Sequence, residues 1–397
     1  MRALVIAPQP FFTPRGTPFS VYYRTLVTSE LGVKVDLLTY GEGQDIDIPG
    51  VRIIRIPRFG FLGKVRVGPS FLKLFLDLFL TIWTIALLSR NHYDFVHAHE
   101  EAVFVCRFLK PIFSFKLVYD MHSSLPQQLT NFQFTSSKPL ISLFTKLEAS
   151  CLRAADAIIT ICPDLSNYVT GLRIDTKKHV LIENSIFDPV KILPRTRNSE
   201  NDLLTPEPKQ NPVELPPRKR LVVYAGTLEH YQGIALLIEA FPKVVAENPD
   251  AFLLIVGGTG PQVQKYSLLA EAFGLAPHCI FTGRVAQHVA RYYSSLASLL
   301  VSPRIEGTNT PLKVYEQLAS GIPLVATNIY SHTQVLDQNV AFLVEPNPEG
   351  MAGGILTALR SGGSSQLVAA NARRLYEQKY SRPAYVMKMR NLLELLS

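Results

Sequence analysis

Cysteine is scarce in this 397-residue chain, and the scarcity excludes two classes of protein. Its four thiols, Cys106, Cys151, Cys162 and Cys279, show no Cys-x-x-Cys spacing and no clustered histidine partners, so neither a zinc site nor a disulfide framework is indicated. A reducing, cytoplasmic setting is expected. A dinucleotide fingerprint is missing too. The first strand-like run, Arg2 to Ala7, leads into Pro8-Gln-Pro-Phe-Phe-Thr-Pro-Arg-Gly-Thr-Pro18 instead of G-x-G-x-x-G, which disfavours hydride chemistry with a nicotinamide cofactor. The same run lacks a small-residue cleavage site and reads as a buried strand, not a signal peptide. Acidic residues are absent between Val51 and Leu76, where Arg52, Arg55, Arg58, Lys64, Arg66 and Lys73 stand. Much of the net charge of +8 gathers there. The segment belongs to no recognisable nucleic-acid-binding module, so no nucleic acid is expected as a partner.

What is present is apolar: 47% of residues against 18% charged, with length enough for two cores. Short Val/Ile/Leu runs alternate with amphipathic stretches of helical length, the pattern of a doubly wound parallel sheet. Strands are predicted at Arg2 to Ala7, Val33 to Thr39, Val51 to Ile56, Phe95 to Ala98, Lys116 to Asp120, Ala157 to Ile161 and Val180 to Ile182. A second series follows at Leu221 to Gly226, Ala251 to Gly258, Leu299 to Ser302 and Pro323 to Thr327. Between them, residues 188–219 are rich in Pro, Asn, Glu, Lys and Arg and read as a linker. The expected organisation is therefore 1–187, linker 188–219, 220–380, and a terminal helix over 381–397 that crosses back to the first domain.

Phe71 to Leu88 approaches membrane-spanning length, but Lys73, Asp77, Thr81 and Thr84 recur every three or four residues and predict a helix with one narrow wet face. Two readings stand: a helix sandwiched inside the first domain, or one facing an anionic membrane, helped by the basic segment before it.

Three segments carry candidate chemistry. Gly226 closes a strand and Gly233 opens the next helix, an arrangement that presents backbone N–H groups to a diphosphate. Gly257-Gly258-Thr259-Gly260-Pro261 admits close approach of a ligand, or is a bare tight turn. The densest polar stretch runs from Ser302 to Glu316; its Gly, Thr and Asn groups, with Lys313 and Glu316, suit sugar and ribose hydroxyls. The plain alternative has Thr310 capping the helix and Glu316 solvated.

Taken together, Tyr224 to Gly233, Val256 to Pro261, Phe281-Thr-Gly-Arg284 and Glu306 to Thr327 resemble the donor-binding domain of family 4 retaining glycosyltransferases. In the first half, Val118-Tyr-Asp-Met-His122 is similar to the family's strand ending in histidine, and Ile182-Glu-Asn-Ser185 resembles its P-N-G turn. The resemblance implies the GT-B fold, an α/β architecture of two doubly wound Rossmann-like domains facing a central cleft. It implies that Glu316 binds ribose hydroxyls, and that Gly226, Thr227, Gly258, Arg284 and the loop Glu306, Thr308, Asn309, Thr310 hold diphosphate and sugar. Gly16 would lie in the turn after the first strand, and His122 would face the donor sugar. The sequence departs from the family where Arg and Lys usually clamp phosphate: Thr227 and Gln232 stand there, and Lys313, with Arg304 or Arg284, is expected to take over. The family's earlier carboxylate falls on Thr308, with Glu306 the nearest acid.

The implied reaction is a retaining hexosyltransferase-type transfer from a nucleoside diphosphate sugar to a glycan or lipid-linked acceptor. Neither cofactor nor metal is needed in this picture, since protein cations and helix dipoles offset the leaving charge. Lys313, Glu306 and His122 are the catalytic candidates. A sugar-nucleotide epimerase, a phosphorylase and a non-catalytic partner subunit are the alternatives of like fold.

Overall fold

A strand such as Ala251-Phe-Leu-Leu-Ile-Val256, buried along its whole length, needs helices on both faces, and parallel pairing with crossover helices supplies them. A computed structural model describes the chain apart from residues 14–15, 59–70, 125, 127–137, 189 and 191–212. It contains two such α/β units: Met1–Arg197 with Arg382–Ser397, and Asn198–Ser381.

The first unit runs β1 (Arg2–Ala7), α1 (Gly16–Glu30), β2 (Lys34–Thr39), β3 (Val51–Arg55), α2 (Phe71–Arg90), β4 (Phe95–His99), α3 (Ala102–Phe113), β5 (Lys116–Met121), α4 (Lys138–Ala154), β6 (Ala157–Thr160), α5 (Pro163–Gly171) and β7 (His179–Leu181). Its seven strands lie parallel in the order β3-β2-β1-β4-β5-β6-β7. The order reverses between β1 and β4, which is where a crevice opens at the carboxyl ends of such sheets.

The second unit runs β8 (Arg220–Ala225), α6 (Ile234–Glu247), β9 (Ala251–Val256), α7 (Gly260–Ala272), β10 (Cys279–Gly283), α8 (Gln287–Ser295), β11 (Leu299–Ser302), α9 (Leu312–Ala319), β12 (Leu324–Thr327), α10 (Tyr330–Thr333), β13 (Phe342–Val344), α11 (Pro348–Arg360) and α12 (Gly362–Lys379). The six strands are ordered β10-β9-β8-β11-β12-β13, with the switch point between β8 and β11. The edge strands β10 and β13 were not expected. Both are short and only partly buried, five residues in Cys-Ile-Phe-Thr-Gly283 and three in Phe-Leu-Val344. The last helix, α13 (Arg382–Glu394), packs within the first unit, where Arg382 pairs with Glu30 at 2.6 Å and Tyr385 is buried.

The helix α2 overturns one expectation. Its polar stripe is the inward face: Lys73 reaches Glu101 at 3.4 Å, Asp77 accepts from the Tyr40 hydroxyl, and the Thr81 and Thr84 hydroxyls donate to Asp77 and Leu80 carbonyls. The outward face is apolar, with Phe71, Leu74 and Leu78 exposed by 80%, 63% and 58%, and Phe75, Ile82 and Ile85 exposed beside them. The helix is therefore not sandwiched. Periodicity separates the two faces of a helix; which one turns inward was decided by Tyr40 and Glu101, partners remote in sequence. The neighbouring α3 and α4 add exposed Phe108, Ile112 and Leu143. The basic segment is less free than its sequence suggests, because Arg52 pairs with Asp36 at 2.7 Å and Arg55 binds the carbonyls of Phe11, Glu42 and Gln44. Lys64 and Arg66 lie outside the described residues.

Candidate functional site

At the switch point of the second unit, the loop after β8 meets the loop after β11. Gly233 closes the first loop in a left-handed conformation (φ 71°) and sits so close to the next strand's exit that a Cβ there would lie 1.9 Å from the Pro303 carbonyl oxygen. The backbone of the two loops can approach only because this residue has no side chain. The helices that follow, α6 and α9, start at Gly233 and Pro311 with no side-chain cap, so their first-turn amides are available to an anion. Thr310 does not cap α9; its hydroxyl is buried without a hydrogen-bond partner among the described residues.

Lys313, on the first turn of α9, points its ammonium into this corner. Nζ donates to Gln232 Oε1 at 2.9 Å and stands 4.0 Å from the centroid of the Tyr224 ring. A Cβ placed on Gly226 would be 3.6 Å from the same nitrogen. Burial, and then the nearby Arg304, hold the Lys313 ammonium well below the ordinary lysine range. Arg304 stacks over Tyr231 at 5.1 Å, donates to the Glu306 carbonyl at 2.5 Å, and is itself lowered by burial. Among the described residues no carboxylate pairs with either cation. Two partly buried basic groups without a carboxylate partner among the described residues, beside two helix amino termini, form a candidate anion site.

The other expected residues divide. Gly226, Gly258, Thr227 and Lys313 lie in or beside this corner. Glu306 and Thr308 are exposed on the β11–α9 loop, Asn309 is half-buried there, and Arg284 is exposed after β10. Glu316 is half-buried and held by a partner: Arg291 Nη2 and Nε both donate to its Oε1, at 3.0 and 3.2 Å. Burial raises its carboxyl above the usual range, and Arg291 opposes that. Arg291 was not foreseen; it lies on α8, with nothing in its own sequence context to single it out.

In the first unit, Gly16 begins α1, and Arg15 lies outside the described residues. His122 follows β5 and is buried. Its neighbours form a polar cluster: His97 Nε2 is 3.0 Å from Asp120 Oδ2, His99 Nδ1 is 3.0 Å from His122 Nε2, and His122 Nε2 is 3.3 Å from Asp120 Oδ1. Burial, despite Asp120, pushes the His122 imidazole down to about 4, so it is neutral at physiological pH. His97, His99 and Asp120 offer three ligand atoms within 4.8 Å of one another, the one such group among the described residues, but Arg24 Nε already occupies Asp120 Oδ2 at 2.7 Å. A cation held there would face a buried guanidinium. His97 and His99 were not foreseen, although His-Ala-His at the end of one strand beside Asp-Met-His at the end of the next is a signal that could have found them. An Asp-x-Asp spacing also occurs, at Asp45-Ile-Asp47 of the same unit, where Asp45 is paired with Arg55 at 3.1 Å.

Residues 207–375 match the family model described as glycosyl transferases group 1, and residues 20–186 match that of glycosyltransferase family 4. The chain is 24% identical over 91% of its length to the phosphatidyl-myo-inositol mannosyltransferase of Mycobacterium tuberculosis, of which the match covers 88%. Among solved structures it is similar to sucrose-phosphate synthase from Thermosynechococcus elongatus, with a TM-score of 0.74 at 21% identity over 100% of this chain and 98% of that one. It is also similar to Anabaena HepE in complex with UDP-glucose, with a TM-score of 0.67 at 15% identity over 99% of both chains.

Proposed function

This chain belongs to glycosyltransferase family 4 and has the GT-B fold, and from that premise we propose that it moves a sugar from a nucleoside diphosphate to a lipid-linked acceptor hydroxyl with retention of configuration. The observation that carries the proposal is the pair Lys313 and Arg304, two cations without a carboxylate partner among the described residues, at the switch point where a doubly wound sheet binds its ligand. A diphosphate supplies the charge they lack. The amides that open α6 and α9 add donors, and the charge that develops on the departing phosphate is stabilised without a metal. Lys313 thereby does the work of the Arg and Lys that the family usually places where Thr227 and Gln232 stand here.

Arg291 holds Oε1 of Glu316, which presents the other carboxylate oxygen to ribose. Gly226 and Gly258 let the nucleotide approach the backbone, and the Glu306 to Thr310 loop closes on the sugar. In the first unit, His122 is assigned a hydrogen bond to a substrate hydroxyl. No carboxylate nucleophile is nominated: the departing phosphate oxygen receives the acceptor proton as the new bond forms on the same face. A nucleotide-sugar donor is supported by the UDP-glucose complex of the Anabaena neighbour, and a lipid acceptor by the name of the mycobacterial relative. The exposed apolar face of α2, continued by Phe108, Ile112 and Leu143, is the surface that would rest on a bilayer and bring such an acceptor within reach.

Thermal unfolding against a panel of nucleotide sugars tests the donor site. A ligand at 100 times its Kd adds about 2.7 kcal/mol of stability. Incubation of the stabilising donor with a lipid extract should then release free nucleoside diphosphate and a glycosylated lipid. Isomerised sugar nucleotide in its place would make the protein an epimerase, and a panel without any stabilising donor would remove the enzymatic reading.

A further inference from the structure

A buried histidine stands behind the loop that carries Arg304. We propose that His332 is a positioning residue of the anion site: with its proton on Nδ1 it turns the Thr327 hydroxyl onto the Arg304 carbonyl, and so fixes the loop that brings Arg304 near Lys313. The inference rests on the reading of that corner as a diphosphate site and deepens it.

The turn after β12 brings the ring into place. Ile329 N–H donates to the Thr327 carbonyl at 2.9 Å, and His332 N–H, in α10, donates to the Ile329 carbonyl, also at 2.9 Å. The imidazole thus returns to the end of its own strand and reaches the neighbouring β11, whose Ser302 lies opposite Ala326. Ser302, Thr327 and His332 are all fully buried. Burial, in spite of the Thr327 carbonyl, pushes the His332 ring down to about 4, and Lys313 and Arg304 act in the same direction, so the ring is neutral at physiological pH.

A neutral imidazole carries one proton, and its partners decide which nitrogen holds it. Nδ1 stands 2.9 Å from the Thr327 carbonyl oxygen, which can only accept, so the proton lies on Nδ1. Nε2 is then a lone pair and accepts from the Ser302 hydroxyl at 2.9 Å. The Thr327 hydroxyl lies 3.1 Å from the same Nδ1. Meeting a proton there, it cannot donate to the ring, and it donates to the Arg304 carbonyl instead. The opposite tautomer would set a lone pair against the Thr327 carbonyl and draw the hydroxyl proton away from Arg304. The consequence reaches both loops of the corner, because the next residue, Ile305, donates its N–H to the Tyr231 carbonyl at 3.0 Å. Gln334, just past α10, holds the Thr308 carbonyl of the same loop. A serine on a histidine is also the pairing of a nucleophile with its base, but both are fully buried here and a carbonyl orients the ring, so the pair holds the loop and does not react.

Nitrogen-15 spectroscopy of histidine-labelled full-length protein, with His332 assigned by comparison with His332→Gln, should show a pyrrole-type Nδ1 and a pyridine-type Nε2. A wild-type ring protonated on Nε2 overturns the proposal before any ligand is added. Titration calorimetry with UDP and with inorganic pyrophosphate then reads the site. His332→Gln keeps an acceptor for Ser302 but places no donor at the Nδ1 position, and should weaken both probes about ten-fold, as expected for one buried hydrogen bond left unmade. His332→Asn, whose amide nitrogen reaches the Nδ1 position, should recover affinity to within about three-fold of wild type. Thr327→Val should match the glutamine variant, and the two together should lose no more than either alone. Equal losses in the glutamine and asparagine variants, or additive losses in the double variant, make His332 a packing residue and overturn the proposal. If neither histidine variant folds, Thr327→Val decides, and wild-type affinity there is fatal. A wild-type protein that binds neither probe brings down the diphosphate reading and this inference with it, whereas binding that survives every substitution brings down the inference alone.

Discussion

Replacing Leu74 and Leu78 by serine should detach the protein from lipid vesicles while leaving its fold intact. The two side chains are 63% and 58% exposed on the outward face of α2. Full burial of a leucine side chain is worth about 2 kcal/mol, so the exposed portions of the pair contribute about 2.4 kcal/mol when they enter the acyl boundary. That corresponds to about a 50-fold fall in partition coefficient. Serine adds no charge, so the change isolates the apolar contribution from lipid electrostatics. Both positions face solvent, and substitutions at such sites usually shift stability by within about 0.5 kcal/mol. Flotation of wild-type and doubly substituted protein with vesicles of zwitterionic lipid alone, and with anionic lipid added, measures both contributions. Wild-type recovery should rise with anionic lipid, and the double variant should be recovered poorly from both. If the two proteins float equally, or if wild type fails to float in either mixture, the outward face of α2 has another purpose.

The second unit and the buried acids offer four more tests. Lys313→Ala should lower turnover by about two orders of magnitude or more, since it removes the cation nearest Gly226; wild-type turnover and donor affinity in that variant would dismiss Lys313 as the phosphate clamp. Because burial depresses the Lys313 ammonium and an arriving diphosphate favours the charged form, binding should take up protons on the alkaline side, giving calorimetric heats that differ between buffers of unlike ionisation enthalpy; identical heats would contradict this. Glu316→Gln should weaken nucleoside diphosphate binding about ten-fold or more, the value of a hydrogen bond to a charged group, as read by titration calorimetry, and unchanged affinity would place ribose elsewhere. Burial, and then Glu101, raise the Asp77 carboxyl to about 7, above its unfolded value, so its folded form binds the extra proton and stability is lost as pH rises from about 4 through 7; the Tm gain of Asp77→Asn over wild type should therefore be larger at pH 8 than at pH 5.

Much of the fold was legible because buried parallel strands leave an unmistakable trace: Ala251 to Val256 is apolar at every position and ends at Gly257, and Leu299 to Val301 is apolar up to Ser302 and Pro303. The edges of the second sheet, β10 and β13, were not, whereas those of the first, β3 and β7, showed as Val51 to Ile56 and Val180 to Ile182. In the candidate site, local motifs located Gly226, Lys313 and His122, whose neighbours in sequence already narrowed their surroundings. What local pattern does not encode is pairing across the fold. Arg291 meets Glu316 from a different helix, and Arg24 meets Asp120 across 96 positions. The same limit explains α2: its two faces were drawn correctly, but the choice of the inward one depended on Tyr40 and Glu101, which no helical periodicity contains.

The return of α13 to the first unit has a consequence for how the protein is made. Arg24 emerges early from the ribosome, yet the tyrosine hydroxyl that accepts from it is contributed by residue 385, and Lys388 pairs with Glu183 from the same late segment. The first unit thus waits, with a guanidinium unsealed, through synthesis of the whole second one. Folding of the two is then not strictly sequential, and a chain interrupted before Arg382 would hold a finished second unit beside an unfinished first.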